Sequence, residues 1–376
     1  MHGVRRTWNQ TIEQAQRYEQ WSAEARQVLQ QRYALSRECF LKRSEPVLLR
    51  NPEEYSLWNR RKACLVESYR LELATASENA GLSPPPALRE QVEAEFRVTE
   101  AALRQNPKSY ATWAHRLWLL RAVLPLSPDS TSTAVPGLGN CQWRPPWIVP
   151  LDLAQVYLAR EEALCKQLLA LDDRNFLGWR HLVEVLTLTK GIGLDLSSSS
   201  SSCGEGGAPV AGAAAGKRLL HITRTVLDQN SCNYTAYHYR SIAVKEAPQD
   251  FDWLEELDAL HQVMYTEPND QSVWFYYHWC MEQLQQHRQL DQASHTQNQA
   301  HDHRHYLEKE LDLLDALLEL EPTARWALEA KARHLMNLGQ HKEAARILGE
   351  ELPMVDPLRK GMYEELADAC MRNSLA

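Results

Sequence analysis

The sequence predicts an all-α protein, an α-α superhelix built from stacked helical hairpins. Three observations lead to this fold class: a helix-favouring composition, a short frame that recurs along the chain, and an amphipathic segment before each copy of the frame. Leu, Ala, Glu, Gln and Arg dominate the 376 residues and Gly is scarce, and those dominant residue types are good helix formers. Phe is rare while Trp and Tyr are plentiful, which indicates that particular aromatic side chains occupy fixed structural places.

The recurring frame reads Asn-x3-Tyr/Phe-x2-Trp-x2-Arg and is complete in NPKSYATWAHRLWLL, residues 106–120. It returns upstream in residues 51–65 and downstream in residues 172–186, and a degenerate copy surrounds Trp326. The central aromatic of the five good copies is Trp58, Trp113, Trp179, Tyr237 and Trp274. Internal repetition of this kind is the signature of a repeat architecture.

One copy of the frame specifies a turn between two helices. The residue before a proline is driven out of the helical region, so Asn-Pro ends a helix. Two residues after the proline place comes a good N-cap residue in four copies, which are Ser109, Asn175, Asn233 and Asp270. The new helix places Tyr110 and Trp113 on one face, and Arg116 follows one turn later, where its guanidinium can stack on rings or bond carbonyls. The residues expected to pack between helices are Trp58, Trp113, Arg116, Trp179 and Trp274.

Each frame is preceded by an amphipathic helix, in residues 87–105, 153–171, 216–229 and 251–266. The unit is therefore helix, turn, helix, and such hairpins bury their apolar faces only by stacking on neighbours. We expect one helical-repeat domain over residues 1–376. Pro/Ser-rich, low-complexity and polar composition predicts flexible loops at 125–150, 191–216 and 285–305.

Charge and cysteine usage exclude several classes of protein. The net charge of −8 gives no basic footprint for nucleic acid. The eight cysteines are scattered without a Cys-x2-Cys pair, which favours a reducing compartment over a disulfide or zinc framework. No apolar run approaches the roughly 20 residues that span a bilayer, and the opening MHGVRRTWNQ lacks the apolar core of a secretory signal. We expect a cytoplasmic protein without nucleic-acid partners or membrane insertion.

The frame resembles the repeat of protein prenyltransferase alpha subunits, over about residues 45–335. Those subunits form a crescent of helical hairpins wrapped around a beta subunit. The segments that are similar to the Rab-directed members of the family are NPKSYATWAHRLWLL, DDRNF, NSCNYTAYHYRS, EPNDQSVWFYYHW, ELEPTARWALEAKARHLMNLG, VDPLRKGMYEEL and the opening Met-His-Gly. Larger members add an immunoglobulin-like insert and leucine-rich repeats, which we expect this chain to lack.

This resemblance implies an enzyme subunit. The heterodimer would transfer a geranylgeranyl group from geranylgeranyl diphosphate to C-terminal cysteines of Rab GTPases presented by a Rab escort protein. Zinc held by the beta subunit would make the acceptor cysteine a thiolate, and the chain alone would be inactive. Two alternatives stay open: the alpha subunit shared by farnesyltransferase and type I geranylgeranyltransferase, which act on CaaX tails, and a tetratricopeptide-like scaffold that binds peptides.

The resemblance also implies roles for individual residues. Lys108 follows Asn-Pro at the place where the family's second repeat has a lysine near the diphosphate; the alternative is a solvated surface lysine. Arg174 stands at the same place one repeat later and is a second candidate contact. His2 resembles an N-terminal histidine that reaches the beta subunit's zinc as an autoinhibitory ligand, the alternative being a disordered terminal side chain. The turn residues expected at the subunit interface are Tyr110, Asn175, Phe176, Asn233, Tyr234 and Arg240.

Overall fold

The computed structural model describes residues 12–75, 86–125, 149–193, 211–248, 251–292 and 298–373. Every regular element within these ranges is helical, as the composition and the frame predict. His2 lies outside the described residues, as do 126–148 and 194–210, which make up most of the first two expected loops.

The helices come in pairs that follow the frame. They are α1 Ile12–Gln31, α2 Arg37–Arg50, α3 Tyr55–Thr75, α4 Pro86–Gln105, α5 Tyr110–Val123, α6 Leu151–Leu171, α7 Phe176–Gly191, α8 Ala211–Gln229, α9 Tyr234–Glu246, α10 Trp253–Thr266, α11 Gln271–Gln292, α12 Asn298–Leu320, α13 Arg325–Asn337, α14 His341–Arg346, α15 Leu352–Val355 and α16 Lys360–Asn373. A π-helical turn, Ile347–Glu351, joins α14 to α15, and a 3₁₀ turn, Pro357–Arg359, precedes α16.

The chain forms two compact units, Met1–Ala215 and Gly216–Ala376. In the first unit, α4 packs on α5 and α6 on α7, and α2 also contacts α4. Its apolar core contains Phe96, Leu120 and Leu158, all buried. In the second unit, α10 packs on α11, α12 on α13 and α14 on α16, with Leu335 and Leu348 in one of its buried clusters.

The second helix of each hairpin begins at the aromatic place of the frame. Helices α3, α5, α7 and α9 start at Tyr55, Tyr110, Phe176 and Tyr234. The expected N-caps are confirmed. The Ser109 hydroxyl accepts from the backbone N–H of Thr112 at 3.2 Å. The other three caps likewise accept backbone N–H bonds: Asn175, Asn233 and Asp270.

Two of the expected loops are shorter than the composition indicated. Helix α8 begins at Ala211, inside 191–216, because the alanine-rich run before Lys217 has high helix propensity. In the polar stretch 285–305, α11 continues to Gln292 and α12 starts at Asn298. That stretch contains neither Pro nor Gly, and Gln, Arg and Leu are good helix formers.

Candidate functional site

The inter-helix turns of the first unit are locked by the frame's tryptophans. The indole N–H of Trp58 donates to the carbonyl of Pro52 at 2.8 Å, and that of Trp113 to Pro107 at 2.9 Å. Trp179 bonds the Asp173 carbonyl at 2.8 Å. The bond spans six residues each time, so the ring fixes the turn that precedes its own helix. In the second unit, Trp274 and Tyr237 make the equivalent bonds to Pro268 and Ser231.

The N-cap side chains tie successive turns together. The Ser109 hydroxyl donates to the Pro52 carbonyl of the preceding turn at 3.2 Å. The Asn175 amide donates to the Pro107 carbonyl at 2.9 Å. Each cap thus closes its own helix and bonds the turn before it. The turns after α2, α4 and α6 therefore form a connected edge with a fixed spacing.

The frame's arginines are buried clamps between helices. Arg116 is fully buried and makes a two-pronged bond to Glu161 of α6, from Nε at 2.8 Å and from a terminal nitrogen at 2.6 Å. Its other terminal nitrogen donates to the Phe96 carbonyl and the Thr99 hydroxyl of α4. Arg61 makes the same set of bonds with Glu95 of α4, and Arg240 with Glu256 of α10.

Histidines complete two of these clamps. His115 bonds Glu95 at 3.1 Å and His181 bonds Glu161 at 3.0 Å, each from 20 residues further along the chain. Burial lowers the pKa of His115, so its neutral ring donates Nε2–H to the carboxylate. Burial acts to raise the pKa of Glu161, but the Arg116 guanidinium and the His181 ring together outweigh it and lower that pKa to about 2. These groups are structural, since all are buried and bonded to one another.

The clamp is missing where the sequence lacks the arginine. Leu182 stands three residues after Trp179, at the arginine place. In α8, Leu219 stands four residues before Thr223, at the place that Glu95 has before Thr99. Both places hold buried leucines, so neither carries a charge that would be costly to bury without a partner.

The edge formed by the turns carries a row of exposed aromatic rings. Tyr55, Tyr110 and Phe176 each begin a second helix in the first unit and are about half exposed, at 52%, 54% and 49%. The rings of Tyr110 and Phe176 contact each other with centroids 5.9 Å apart. Tyr234 holds the same place in the second unit and is 58% exposed.

Lys108 lies on this edge beside Tyr110. Its ammonium is 2.9 Å from a carboxylate oxygen of Asp172 in the next turn, and its side chain is 64% exposed. Arg174 follows two residues after Asp172 and is also exposed. Two cations, one carboxylate and two aromatic rings therefore share one solvent-facing strip, and such a strip can receive an anionic group beside an apolar one.

The other expected interface residues lie inside their units. Asn175 is 1%, Asn233 0% and Arg240 7% exposed, because the two caps and the clamp use these side chains. They position the exposed aromatic residues and offer no surface of their own. Over the described ranges, no group of three or more His, Cys, Asp or Glu side chains could hold a metal ion, so the structure gives no zinc site on that part of the chain.

Sequence reasoning missed the acidic half of each clamp and the partner of Lys108. Glu95, Glu161 and Glu256 lie on the first helices of their hairpins, which carry no frame anchor. A signal did exist, because two of them precede a histidine by 20 residues. Asp172 stands at the place of the frame's asparagine, and its distance from Lys108 in the chain hides the pairing.

Comparison with known proteins agrees with this architecture. The protein prenyltransferase alpha subunit repeat matches residues 92–123 and 253–284, which cover most of α4 with α5 and α10 with much of α11. The chain is 29% identical over 283 residues to the geranylgeranyl transferase type-2 subunit alpha of Sus scrofa, which aligns 72% of this chain and 38% of that protein. The chain therefore spans well under half the length of the vertebrate relatives it matches.

Two further relatives extend the likeness. The geranylgeranyl transferase type-2 subunit alpha of Dictyostelium discoideum is 24% identical over 332 residues, 88% of this chain and 84% of that protein. Among solved structures, a chain of the Candida albicans protein geranylgeranyltransferase-I complexed with GGPP superposes with a TM-score of 0.57 at 15% identity, covering 94% of this chain and 91% of that one. That second likeness shows the fold.

No described helix is long and apolar enough to cross a membrane. The frame repeats, the hairpins that begin at each aromatic place, the matched repeat and the relatives agree: the chain carries the protein prenyltransferase alpha subunit repeat and is similar to geranylgeranyl transferase type-2 alpha subunits.

Proposed function

We propose that this chain is the alpha subunit of a heterodimeric type-2 geranylgeranyltransferase. The enzyme transfers geranylgeranyl from its diphosphate to C-terminal cysteines of Rab GTPases that a Rab escort protein presents. The observation that carries this proposal is the likeness to type-2 alpha subunits along most of the chain. The beta subunit and zinc are part of the proposal, and the chain alone is inactive in it.

The exposed strip explains what this chain contributes. In the transfer, the cysteine sulfur forms a bond to the first carbon of the prenyl group and the diphosphate leaves with the electron pair of the broken C–O bond. Negative charge grows on the leaving group, and a positioned cation stabilises it. Lys108 meets this need because its ammonium is exposed on a turn that the Trp113 and Asn175 bonds hold in place. Arg174 is a second cation in reach of the same strip.

The beta subunit covers the aromatic row in this proposal. Half-exposed tyrosine and phenylalanine side chains on a rigid edge suit a protein interface, where such residues supply much of the binding energy. Tyr110 and Phe176 in the first unit and Tyr234 in the second are the proposed anchors. Zinc binding is assigned to the beta subunit. His2 reaches toward that zinc as an inhibitory ligand, a role that imidazole suits.

Reconstitution tests this function. The chain is co-expressed with candidate beta subunits, and prenyl transfer is measured to a Rab with and without escort protein and to a CaaX peptide. Transfer to the Rab that depends on the escort protein supports the proposal. Transfer to the CaaX peptide supports the alternative, the alpha subunit shared by the CaaX enzymes. Failure to bind any beta subunit supports a scaffold.

A further inference from the structure

The partner of Lys108 is an aspartate that the local fold does not require. Lys108 and Asp172 lie in successive turns of the same unit, and their ion pair measures 2.9 Å. The other carboxylate oxygen of Asp172 accepts the backbone N–H of Arg174 at 3.3 Å, which tightens the turn. In the preceding turn, the Asn106 side chain does the same for the N–H of Lys108, also at 3.3 Å. An asparagine therefore supplies the turn bond equally well.

The negative charge of Asp172 thus has no role in the turn itself. Three of the five frame copies have asparagine at this place, namely Asn51, Asn106 and Asn230. Asp172 replaces that asparagine in the turn that follows the one with Asn-Pro-Lys, residues 106–108, and it is this turn that pairs with Lys108. Its side chain is 32% exposed, so the carboxylate is open to whatever approaches Lys108.

We infer that Asp172 is a positioning residue that acts as an internal competitor for the diphosphate at Lys108. This inference rests on the proposed function. In the free heterodimer the Asp172 carboxylate pairs with the Lys108 ammonium and keeps it at the exposed strip. The prenyl diphosphate displaces the Asp172 carboxylate and pairs with the Lys108 ammonium. The carboxylate pairs with Lys108 again when inorganic diphosphate leaves. Asp172 therefore weakens the binding of both diphosphates and speeds the release of the product.

Two opposite charges about 4 Å apart in water interact by an energy that corresponds to a change of several fold in a binding constant. We expect Asp172→Asn in the heterodimer to tighten binding of inorganic diphosphate by about 3- to 10-fold. The gain shrinks as salt is added, because the strip is exposed. Asn keeps the bond to the Arg174 N–H, so the unfolding midpoint stays where it is.

A double-mutant cycle separates competition from general repulsion. Inorganic diphosphate is titrated by calorimetry into heterodimers that carry the wild-type alpha subunit, D172N, K108A, or both changes. If Asp172 competes for Lys108, the gain in affinity from D172N is at least about threefold larger with Lys108 present than in the K108A background, where the ammonium is gone. Equal gains in both backgrounds, or weaker binding by D172N, overturn the inference.

The matched control is Asp315→Asn, which removes the same charge from another Asp–Lys pair, Asp315 with Lys331 in the second unit. It leaves diphosphate binding unchanged, and a gain as large as that of D172N would also contradict the inference. The proposed function has a separate readout: a heterodimer without any prenyl transfer refutes that function, whereas an active heterodimer indifferent to D172N refutes this inference alone.

Discussion

Removing one arginine clamp tests how the hairpins are held together. Arg116→Met keeps much of the side-chain volume but removes the guanidinium that pairs with Glu161. The Glu161 side chain is 1% exposed, and its remaining bond is the one with His181 at 3.0 Å. Breaking a buried ion pair by removing one partner costs about 3–5 kcal/mol. Although burial acts to raise the pKa of Glu161, that pKa falls from 4.5 to about 2, and Arg116 is the main cause of the fall. Removing Arg116 leaves burial opposed by His181 alone, so the pKa of Glu161 rises and the buried carboxylate loses its main stabilising partner.

The assay is urea unfolding of the full chain, followed by tryptophan fluorescence and circular dichroism. Arg116→Met should lower the free energy of unfolding by about 3 kcal/mol or more, measured on the transition that unfolds the first unit. The control is Arg104→Met, which removes an exposed i,i+4 pair with Glu100 and should cost no more than about 1 kcal/mol.

The double variant R116L/E161L puts leucine at both the arginine and the glutamate place of the clamp, as the chain has at Leu182 and Leu219. It leaves no buried charge unpaired and should be more stable than R116M by at least about 1 kcal/mol. If R116M costs less than the exposed control, or if the double variant is less stable than the sum of its single changes, the clamps do not hold the hairpins as described.

Three other predictions concern pH, caps and the interface. Glu95 and Glu161 have pKa values lowered to about 2. Their contribution to the stability of the folded chain is therefore complete above the unfolded pKa near 4.5 and is lost as pH falls toward 2. Acid titration followed by circular dichroism should show this loss of stability, and E161Q should make the loss smaller. Asn175→Ala removes two N-cap bonds and the bond to the Pro107 carbonyl and should cost about 1–2 kcal/mol in urea unfolding, whereas N175D, which keeps the cap bonds, should cost less. Tyr110→Ala with Phe176→Ala should weaken binding of the beta subunit by more than about 1 kcal/mol in calorimetry while the unfolding midpoint of the free chain changes little; undiminished binding would place the interface elsewhere.

The sequence carries the repeat because each copy of the frame encodes local physics. Asn-Pro breaks a helix, Ser109 or Asn175 caps the next, and Trp113 lies at a fixed distance from the turn that it bonds. These interactions connect residues close in the chain, so spacing alone reveals them.

The clamps and the Lys108 pair depend on residues far apart in the chain. Arg116 bonds Glu161, which lies 45 residues further along the chain. Lys108 pairs with Asp172, which lies in the turn of the next hairpin. Loops of unequal length separate the repeats, so no single spacing predicts these partners. The ends of α11 and α12 were missed for another reason, since their polar composition resembles that of a loop.

The central claim is that the Lys108 strip meets the diphosphate during prenyl transfer. The most direct test is the single-turnover rate of transfer to an escort-bound Rab by the heterodimer with Lys108→Ala, compared with the wild-type chain. The loss of one charge-stabilising group predicts a fall of about 100-fold in that rate, with the heterodimer still formed. An unchanged single-turnover rate in an intact heterodimer would contradict the account.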